Sequence, residues 1–313
     1  MTKNIAFVFP GQGSQEVGMG QALIEAYPAA REIFEQADDI LGFSLSRLCF
    51  EGPDEELNDT FNTQPAIFVT SIAALESLRA EGYDVTPEYM AGHSLGEYTA
   101  YVAAGVMSFA NGLRLVRERG RLMKKAGEIN PGSMAAIIKL DDDTVAKICD
   151  DVTADGNGIL TLANYNSPGQ VVISGHTAAV ERGIELAQAA GARRALKLPI
   201  SIASHSALMS VVTEEFGEAI SKTILNLPDT PIVANITARP LDASQAAIQE
   251  EMMEQLTSSV RWTDSVRWMV AQGVTEFVEI GPKNVLAGLI RRIEKGVNVT
   301  NVGTPAEVAA LVS

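Results

Sequence analysis

The sequence predicts an α/β protein whose mainly parallel sheet carries helices on both faces and accepts a smaller inserted module. One observation is the alternation of short apolar runs with longer helical patterns. A second is that residues 5–9 are apolar at every position, as in a strand buried on both faces. The third is a change of pattern in the middle of the chain, where strands come in pairs. A length of 313 residues fits about two domains.

The first third of the chain alternates between strands and helices. Pro10 and Gly11 end the first strand. Pro65 in a first turn and Gly82 just past the last turn bound a long helix, and Ser108 is typical of a helix N-cap. The predicted elements are strand 5–9, helices 29–41 and 64–81, strand 89–91, and helices 95–104 and 109–126.

The middle third follows a different order, in which Asp141 is predicted to cap a helix. Its elements are strand 134–140, helix 142–152, strands 159–163 and 170–174, helix 177–190 and strand 192–198. This β-α-β-β-α-β order is the ferredoxin-like arrangement. The first pattern then resumes with helix 206–222, strand 231–235, helix 243–257, strand 275–280, helix 286–293 and strand 297–302. We therefore predict a large domain from residues 1–129 and 199–313 and a small subdomain over 130–198.

Composition excludes several classes of function. A formal net charge of −15 disfavours general binding to nucleic acid or to anionic membranes. The most apolar window, residues 98–113, is short and contains polar residues, so it predicts buried helices and no membrane span. With only Cys49 and Cys149 and three dispersed histidines, the chain predicts no disulfide framework and no metal site. These features favour a cytoplasmic protein.

The sequence Gly92-His93-Ser94-Leu95-Gly96 has the G-x-S-x-G pattern between a short strand and a helix. This is the setting of a nucleophile elbow, in which the serine occupies a sharp turn that only flanking glycines accommodate. Ser94 would then lie at a helix N-terminus, where free N–H groups stabilise developing negative charge. The structural alternative is a glycine-lined turn with Ser94 as a helix N-cap.

A serine nucleophile needs a base, and three histidines are candidates. His205 is favoured because it lies at a predicted strand-to-helix junction. His93 adjoins Ser94, but neighbours on such a turn point apart, and His176 fits a loop or cap of the small subdomain. No third member of a triad is evident, since the aspartates between Ser94 and His205 fit caps and a solvated face.

Two further segments could contact a ligand. The glycine-rich loop 11–15 follows the first strand, so its N–H groups could complete an oxyanion hole, although a ligand-free turn is the alternative. Residues 114–125 contain six basic side chains, either a solvated face or a docking site for anions. Among them Arg119 falls on the apolar face and is predicted to turn inward, where it would need an anionic partner.

Taken together, these motifs resemble the malonyl-CoA:acyl-carrier-protein transacylases of bacterial fatty-acid synthesis. The resemblance extends along nearly the whole chain in order. The matching segments are residues 9–15, 92–97, 119–123, 164–170, 204–209, 260–263 and 279–282, with Gln255. The family fold implied is an α/β-hydrolase-like domain with a parallel sheet and an inserted ferredoxin-like subdomain.

The resemblance implies a role for each matching residue. Ser94 would be the acylated nucleophile and His205 its base, with the backbone N–H groups of Gln12 and Leu95 forming the oxyanion hole. Arg119 would pair with the free carboxylate of the malonyl group.

In this family a main-chain carbonyl near the residue that matches Gln255 orients the histidine, which would explain the missing acid. Asn164 and Asn166 would border the cleft between the two domains.

The implied activity is transfer of a malonyl group from malonyl-CoA to the phosphopantetheine thiol of acyl carrier protein, by a monomer that needs no cofactor. Leu95 resembles malonyl-specific members. Residues 202–205 resemble both malonyl-specific enzymes and the methylmalonyl-preferring polyketide domains, so a polyketide-type acyltransferase of broader preference is an alternative. A serine thioesterase is another, because exclusion of water separates a transferase from a hydrolase.

Overall fold

The computed structural model describes residues 4–156 and 158–313, and these form two separate sheets. The strands are β1 (Ile5–Phe9), β2 (Tyr89–Gly92), β3 (Gly132–Ile138), β4 (Leu160–Ser167), β5 (Gln170–His176), β6 (Arg194–Lys197), β7 (Ile232–Val233), β8 (Glu276–Ile280) and β9 (Asn298–Val302). The larger sheet is parallel with the order β7-β2-β1-β8-β9. The smaller sheet is antiparallel with the order β4-β5-β3-β6. The predicted mixed α/β class is confirmed.

Helices pack against both sheets. They are α1 (Gln21–Ala26), α2 (Pro28–Leu41), α3 (Leu45–Glu51), α4 (Asp54–Asn58), α5 (Thr60–Ala80), α6 (Leu95–Ala103), α7 (Phe109–Ile129), α8 (Asp142–Ala154), α9 (Thr177–Ala189), α10 (Thr213–Ser221), α11 (Gln245–Glu254), α12 (Trp262–Ala271), α13 (Val285–Ile293) and α14 (Pro305–Val312). Ser108 and Asp141 cap α7 and α8 through their side chains, as predicted. No helix of the described residues is long and apolar enough to cross a membrane.

Alternation along β1 divides the large core into two parts. Phe7 and Phe9 pack into one cluster with residues of α2, α5 and α7, while Ala6 and Val8 pack into another with residues of α12 and α13. Both faces of the strand are therefore covered, which is why all five of its residues are buried and apolar.

The small sheet has the predicted β-α-β-β-α-β connectivity, and α8 and α9 cover one of its faces. Its strand β4 is hydrogen-bonded to the segment that precedes α12. Tyr165 N donates to Val260 O over 2.9 Å, and Val260 N donates to Ala163 O over 2.8 Å. The small sheet is therefore hydrogen-bonded directly to the loop that leads into α12.

Besides small shifts at the ends of elements, the structure differs from the predicted elements in several places. Helix α5 begins at Thr60, four residues before the predicted start, because the Asp59 side chain accepts from Phe61 N. The predicted helix 206–222 is a 3₁₀ turn over Ala207–Val212 followed by α10, since the Ser206 hydroxyl accepts from Leu208 N and tightens the first turn. Helices α1, α3, α4, α12 and α14 were not predicted, and most are too short for a clear apolar period.

Candidate active site

The G-x-S-x-G segment forms a sharp turn between β2 and α6. Ser94 has φ 51° and ψ −104°, a backbone conformation that L residues rarely adopt. A Cβ on Gly92 would lie 1.9 Å from the carbonyl carbon of Gly96, and a Cβ on Gly96 would lie 2.0 Å from Phe9 O. Both glycines are therefore sterically required. Ser94 occupies the N-cap position of α6, but its side chain makes no cap hydrogen bond to the helix.

His205 lies against Ser94, with its Nε2 atom 2.8 Å from Ser94 Oγ. On the other side of the ring, Nδ1 lies 2.8 Å from Gln255 O and 3.0 Å from Ser258 O. Carbonyl oxygens only accept hydrogen bonds, so Nδ1 carries the proton and Nε2 is free to accept the Ser94 proton. Two main-chain carbonyls thus occupy the place of a triad acid.

The surroundings of His205 disfavour its charged form. Burial, followed by the positive charge of Arg119, lowers the pKa of His205 to about 3, while the carbonyl oxygens of Gln255 and Ser258 act in the opposite direction. The imidazole is therefore neutral near pH 7, which is the form that accepts a proton.

The other two histidines have different partners. His93 Nε2 donates to Asn166 Oδ1 over 2.8 Å, and the His93 ring packs edge-on against Trp262 at 5.8 Å between centroids. Burial lowers the pKa of His93 as well. His176 Nδ1 accepts from Ile159 N over 2.9 Å in the small sheet. Of the three histidines, His205 is the one hydrogen-bonded to Ser94.

Arg119 is buried beside Ser94, as its position on the apolar face of α7 predicted. Its Nη2 atom donates to Ser94 Oγ over 3.1 Å and to Gln255 Oε1 over 2.8 Å. Its Nη1 atom donates to Gln64 Oε1 over 2.7 Å, and its Nε atom has no partner among the described residues. Burial lowers the pKa of Arg119. Its hydrogen-bond partners are neutral, so the guanidinium could still pair with the carboxylate of a ligand.

Two buried side chains hold the elbow, and sequence reasoning gave neither a role. Asn235 follows β7, and its Oδ1 atom accepts from Ser94 N over 2.7 Å while its Nδ2 atom donates to Gly92 O over 2.7 Å. Glu97 Oε1 accepts from Asn235 N over 2.8 Å. Glu97 stands in the motif 92–97 and could have been noticed there, but no local pattern marks Asn235.

The glycine-rich loop also reaches the elbow. A Cβ on Gly11 would lie 2.3 Å from His93 O, so only glycine allows this approach. Gln12 N and Leu95 N have no hydrogen-bond acceptor among the described residues. Two free N–H groups flanking the Ser94 turn have the chemistry of an oxyanion hole. The structure places Asn166 against His93 and pairs Asn164 with Val260.

The basic run of α7 is largely neutralised by neighbouring acidic side chains. The ion pairs join Arg121 to Glu118 and Glu215, Lys124 to Asp59, and Lys125 to Glu215. Arg117 donates to Phe61 O over 2.6 Å and stacks on the Phe61 ring. Within the run, only Arg114 has neither an ion pair nor an aromatic ring beside it among the described residues, since the buried Arg119 lies over the Tyr98 ring at 5.2 Å from its centroid. The run is therefore not the free cationic surface that its sequence suggested.

Comparison with known proteins agrees with this geometry. The model of the acyl transferase domain family matches residues 6–312. The malonyl CoA-acyl carrier protein transacylase of Escherichia coli (strain K12) is 45% identical over 305 residues, covering 97% of each chain.

Solved structures are similar over almost the full length. An acyl carrier protein S-malonyltransferase from Vibrio cholerae O1 biovar eltor has a TM-score of 0.94 at 42% identity, covering 99% of this chain and 100% of that one. A malonyl-transacylase in complex with its type II PKS acyl-carrier protein has a TM-score of 0.95 at 41% identity, covering 99% of each chain. The chain belongs to the acyl transferase domain family and, within it, to the malonyl CoA-acyl carrier protein transacylases.

Proposed function

We propose that this protein transfers a malonyl group from malonyl-CoA to the phosphopantetheine thiol of an acyl carrier protein, through an ester on Ser94, and so supplies fatty-acid elongation. The proposal rests on the groups that surround Ser94 Oγ. Ser94 Oγ lies 2.8 Å from a neutral imidazole nitrogen and 3.1 Å from a buried guanidinium that has no acidic partner among the described residues. A nucleophile, a base and a receptor for a carboxylate thus meet in one place.

In the first half-reaction, Ser94 Oγ attacks the thioester carbonyl carbon of malonyl-CoA while His205 Nε2 takes the hydroxyl proton. The carbonyl oxygen becomes an oxyanion, to which the free N–H groups of Gln12 and Leu95 donate. As the tetrahedral intermediate collapses, the C–S bond breaks and His205 returns the proton to the CoA sulfur. The products are malonyl-Ser94 and CoA.

The second half-reaction reverses these steps with a different thiol. His205 takes the proton of the phosphopantetheine thiol, and the sulfur attacks the ester carbonyl of malonyl-Ser94. The C–O bond then breaks, and the proton moves from His205 to Ser94 Oγ. Both acceptors of His205 Nδ1 are carbonyl dipoles, which stabilise the imidazolium that forms in each half.

Arg119 would bind the free carboxylate of the malonyl group and so distinguish malonyl from acetyl. The planar guanidinium suits a carboxylate, and in a buried site the pair is strong. The positive charge of Arg119 also lowers the pKa of His205. A bound carboxylate would offset that charge, so we expect the correct substrate to make His205 a stronger base.

We assign the parallel sheet and its helices, residues 1–129 and 199–313, to an α/β-hydrolase-like catalytic domain. The antiparallel sheet, residues 130–198, is assigned to a ferredoxin-like subdomain. The cytoplasmic location, the monomeric state and the absence of nucleic-acid and membrane partners stay predictions from the sequence.

The choice of pathway has one specific alternative. One similar structure is a malonyl-transacylase bound to a type II PKS acyl-carrier protein, so the carrier protein served here could belong to polyketide synthesis. A thioesterase would instead release malonate to water.

Mass spectrometry of the protein after incubation with malonyl-CoA tests the proposal. We expect a malonyl adduct on the peptide that contains Ser94, its transfer to holo acyl carrier protein, and neither event in Ser94→Ala. Release of free malonate without a lasting adduct would identify a hydrolase. Fatty-acid and polyketide carrier proteins offered side by side would distinguish the two pathways.

A further inference from the structure

Glu97 is fully buried in the first turn of α6, three residues after Ser94. Its Oε1 atom accepts from the backbone N of Asn235 over 2.8 Å and from Asn235 Nδ2 over 3.1 Å. Its Oε2 atom accepts a short hydrogen bond from Gln255 Nε2. A glutamate is almost never fully buried unless its charge is paired or hydrogen-bonded. Here it receives three N–H donors from two other segments of the chain.

Two of those donors belong to the amide side chains that hold the site, and the third is the backbone N of Asn235. Gln255 donates its Nε2 to Glu97 and to Ser94 O, so its Oε1 atom faces Arg119 Nη2 at 2.8 Å. Asn235 donates its Nδ2 to Glu97 and to Gly92 O, so its Oδ1 atom faces Ser94 N. An amide can be turned end for end at little cost unless its partners distinguish oxygen from nitrogen. Glu97, which accepts from both amide nitrogens, makes that distinction together with the carbonyl oxygens of Gly92 and Ser94.

A second largely buried carboxyl group, that of Glu251, acts on Glu97 through its charge. Burial raises the pKa of both carboxyl groups, and Glu251 adds to the effect on Glu97. The three N–H donors and the charge of Arg119 favour the ionised form of Glu97, whereas Glu251 Oε1 accepts one hydrogen bond, from Ile236 N over 3.0 Å. Glu97 therefore accepts from three donors even though burial raises its pKa.

We propose that Glu97 is a positioning residue for malonyl selectivity, because its carboxylate fixes the Gln255 amide with the oxygen toward Arg119. This inference rests on the proposed function. Arg119 Nη2 would otherwise face an amide nitrogen, and two donors cannot share a hydrogen bond. Through the contacts of Glu97 with Gln255 and of Gln255 with Arg119, a neutral oxygen holds the guanidinium. The positive charge of Arg119 therefore stays available for the carboxylate of the substrate.

The substitution Glu97→Gln separates this role from packing. The shape is kept, and the single amide oxygen of the new side chain faces the two Asn235 donors. Its nitrogen then replaces Oε2 opposite Gln255 Nε2, where two donors meet. Turning Gln255 over would relieve this clash but would bring its nitrogen to Arg119 Nη2 and its oxygen to Ser94 O, so either orientation of the amide loses a hydrogen bond. We therefore expect a weaker contact between Gln255 and Arg119, while the Asn235 contacts to the Ser94 turn remain.

The experiment compares kcat/KM for malonyl-CoA with kcat/KM for acetyl-CoA, with transfer to holo acyl carrier protein, in the wild type, Glu97→Gln and Glu251→Gln. We expect the malonyl-to-acetyl ratio to fall about tenfold or more in Glu97→Gln, as for a lost hydrogen bond to a buried charged group. The matched control is Glu251→Gln, which removes a carboxylate that contacts neither Gln255 nor Arg119. It should keep the wild-type malonyl-to-acetyl ratio. An unchanged ratio in folded Glu97→Gln, or an equal fall in both variants, would overturn the proposal.

Gln255→Met provides a second test, and it applies even where Glu97→Gln does not fold. It removes the amide but keeps the carbonyl that accepts from His205, so the ratio should fall as in Glu97→Gln. In the double variant the second substitution should not lower the ratio further, because both act through one contact. Independent losses in the double variant, or an unchanged ratio in Gln255→Met, would contradict the inference. Absence of malonyl transfer by the wild type would instead contradict the proposed function.

Discussion

The reacting pair and the guanidinium beside it are held by different means. Ser94 is placed by a backbone turn that two glycines permit, and His205 is oriented by two main-chain carbonyls. Arg119 is held by side-chain amides, Gln64 and Gln255. A backbone carbonyl accepts hydrogen bonds whatever residue carries it. An amide side chain can present either its oxygen or its nitrogen, and its neighbours decide which. Asn235 and Gln255 also bond the backbone of Ser94, so changes in the side-chain network reach both groups, but we expect acyl selectivity to suffer more than the orientation of His205.

The largest expected effect concerns the reacting pair. Ser94→Ala should abolish formation of the acyl-enzyme, because no other nucleophile replaces the hydroxyl. His205→Ala should slow acylation by about 10² to 10⁴ through loss of the base. Quenched-flow measurement of the malonyl adduct checks both. In the double variant the second change should add little, since the residues act as a unit.

His93→Ala is the control for the assignment of the base. Its side chain contacts Asn166 and Trp262, so we expect a smaller loss than in His205→Ala. Acylation near the wild-type rate in His205→Ala together with a large loss in His93→Ala would show that the base is misassigned.

The next effect concerns Arg119 and separates recognition from reactivity. Removing one member of a desolvated charge pair costs about 2–5 kcal/mol, which corresponds to a loss of about 30-fold to several thousand-fold in kcat/KM for malonyl-CoA. Acetyl-CoA has no carboxylate to lose, so its transfer by Arg119→Ala should be unchanged or faster. Arg119→Lys should recover malonyl transfer only in part, because an ammonium lacks the planar fork. Equal losses with both thioesters would instead make Arg119 a structural residue of α7.

A third prediction uses pH to connect the two groups. Because the pKa of His205 is lowered to about 3, its base form persists well below pH 6.5, and the rate falls only when acid protonates the imidazole. Arg119→Ala removes one cause of that shift, so the pKa of His205 should rise and the acid limb should move to higher pH. The pH profile of kcat/KM for acetyl-CoA measures this movement without a substrate carboxylate. An acid limb at the same pH in both enzymes would argue against coupling between the groups.

The smallest expected effect concerns docking of the acyl carrier protein on a basic surface of this protein. Lys124 and Lys125 already have the acidic partners Asp59 and Glu215, whereas Arg193 and Arg194 are exposed and make no side-chain ion pair among the described residues. Reversing the two arginines should therefore raise KM for the carrier protein more than reversing the two lysines, by several-fold at low salt. High salt should reduce the difference, while KM for malonyl-CoA serves as the control. A larger effect from the lysines would restore the basic run of α7 as the docking surface.

The elbow was predictable because its signal is local. Gly92, Ser94 and Gly96 lie within five residues, and the strand and helix that flank them have clear patterns of their own. The inward position of Arg119 was predictable for a similar reason, since helical periodicity alone places it on the apolar face of α7. The oxygen partners of His205 were expected only near Gln255, and that expectation came from resemblance to a family.

The basic run shows where local pattern misleads. Arg121, Lys124 and Lys125 are close to each other in sequence, but Asp59 and Glu215, which neutralise them, are 65 and 90 residues from Lys124 and Lys125. Charge that is concentrated in the sequence is thus balanced in space. No count of basic residues within one segment could show this.

The sequence by itself determined the alternation of strands and helices, the turn at Ser94 and the candidate base, because each depends on neighbours a few residues apart. Tertiary structure decided the direction of every amide and the partner of every charge in the site. Asn235 lies 141 residues from the Ser94 amide that it accepts from, and Gln255 lies 136 residues from Arg119. Hydrogen bonds depend on the position of atoms in space, and contacts across such separations exist only once both sheets and their connecting loops have packed.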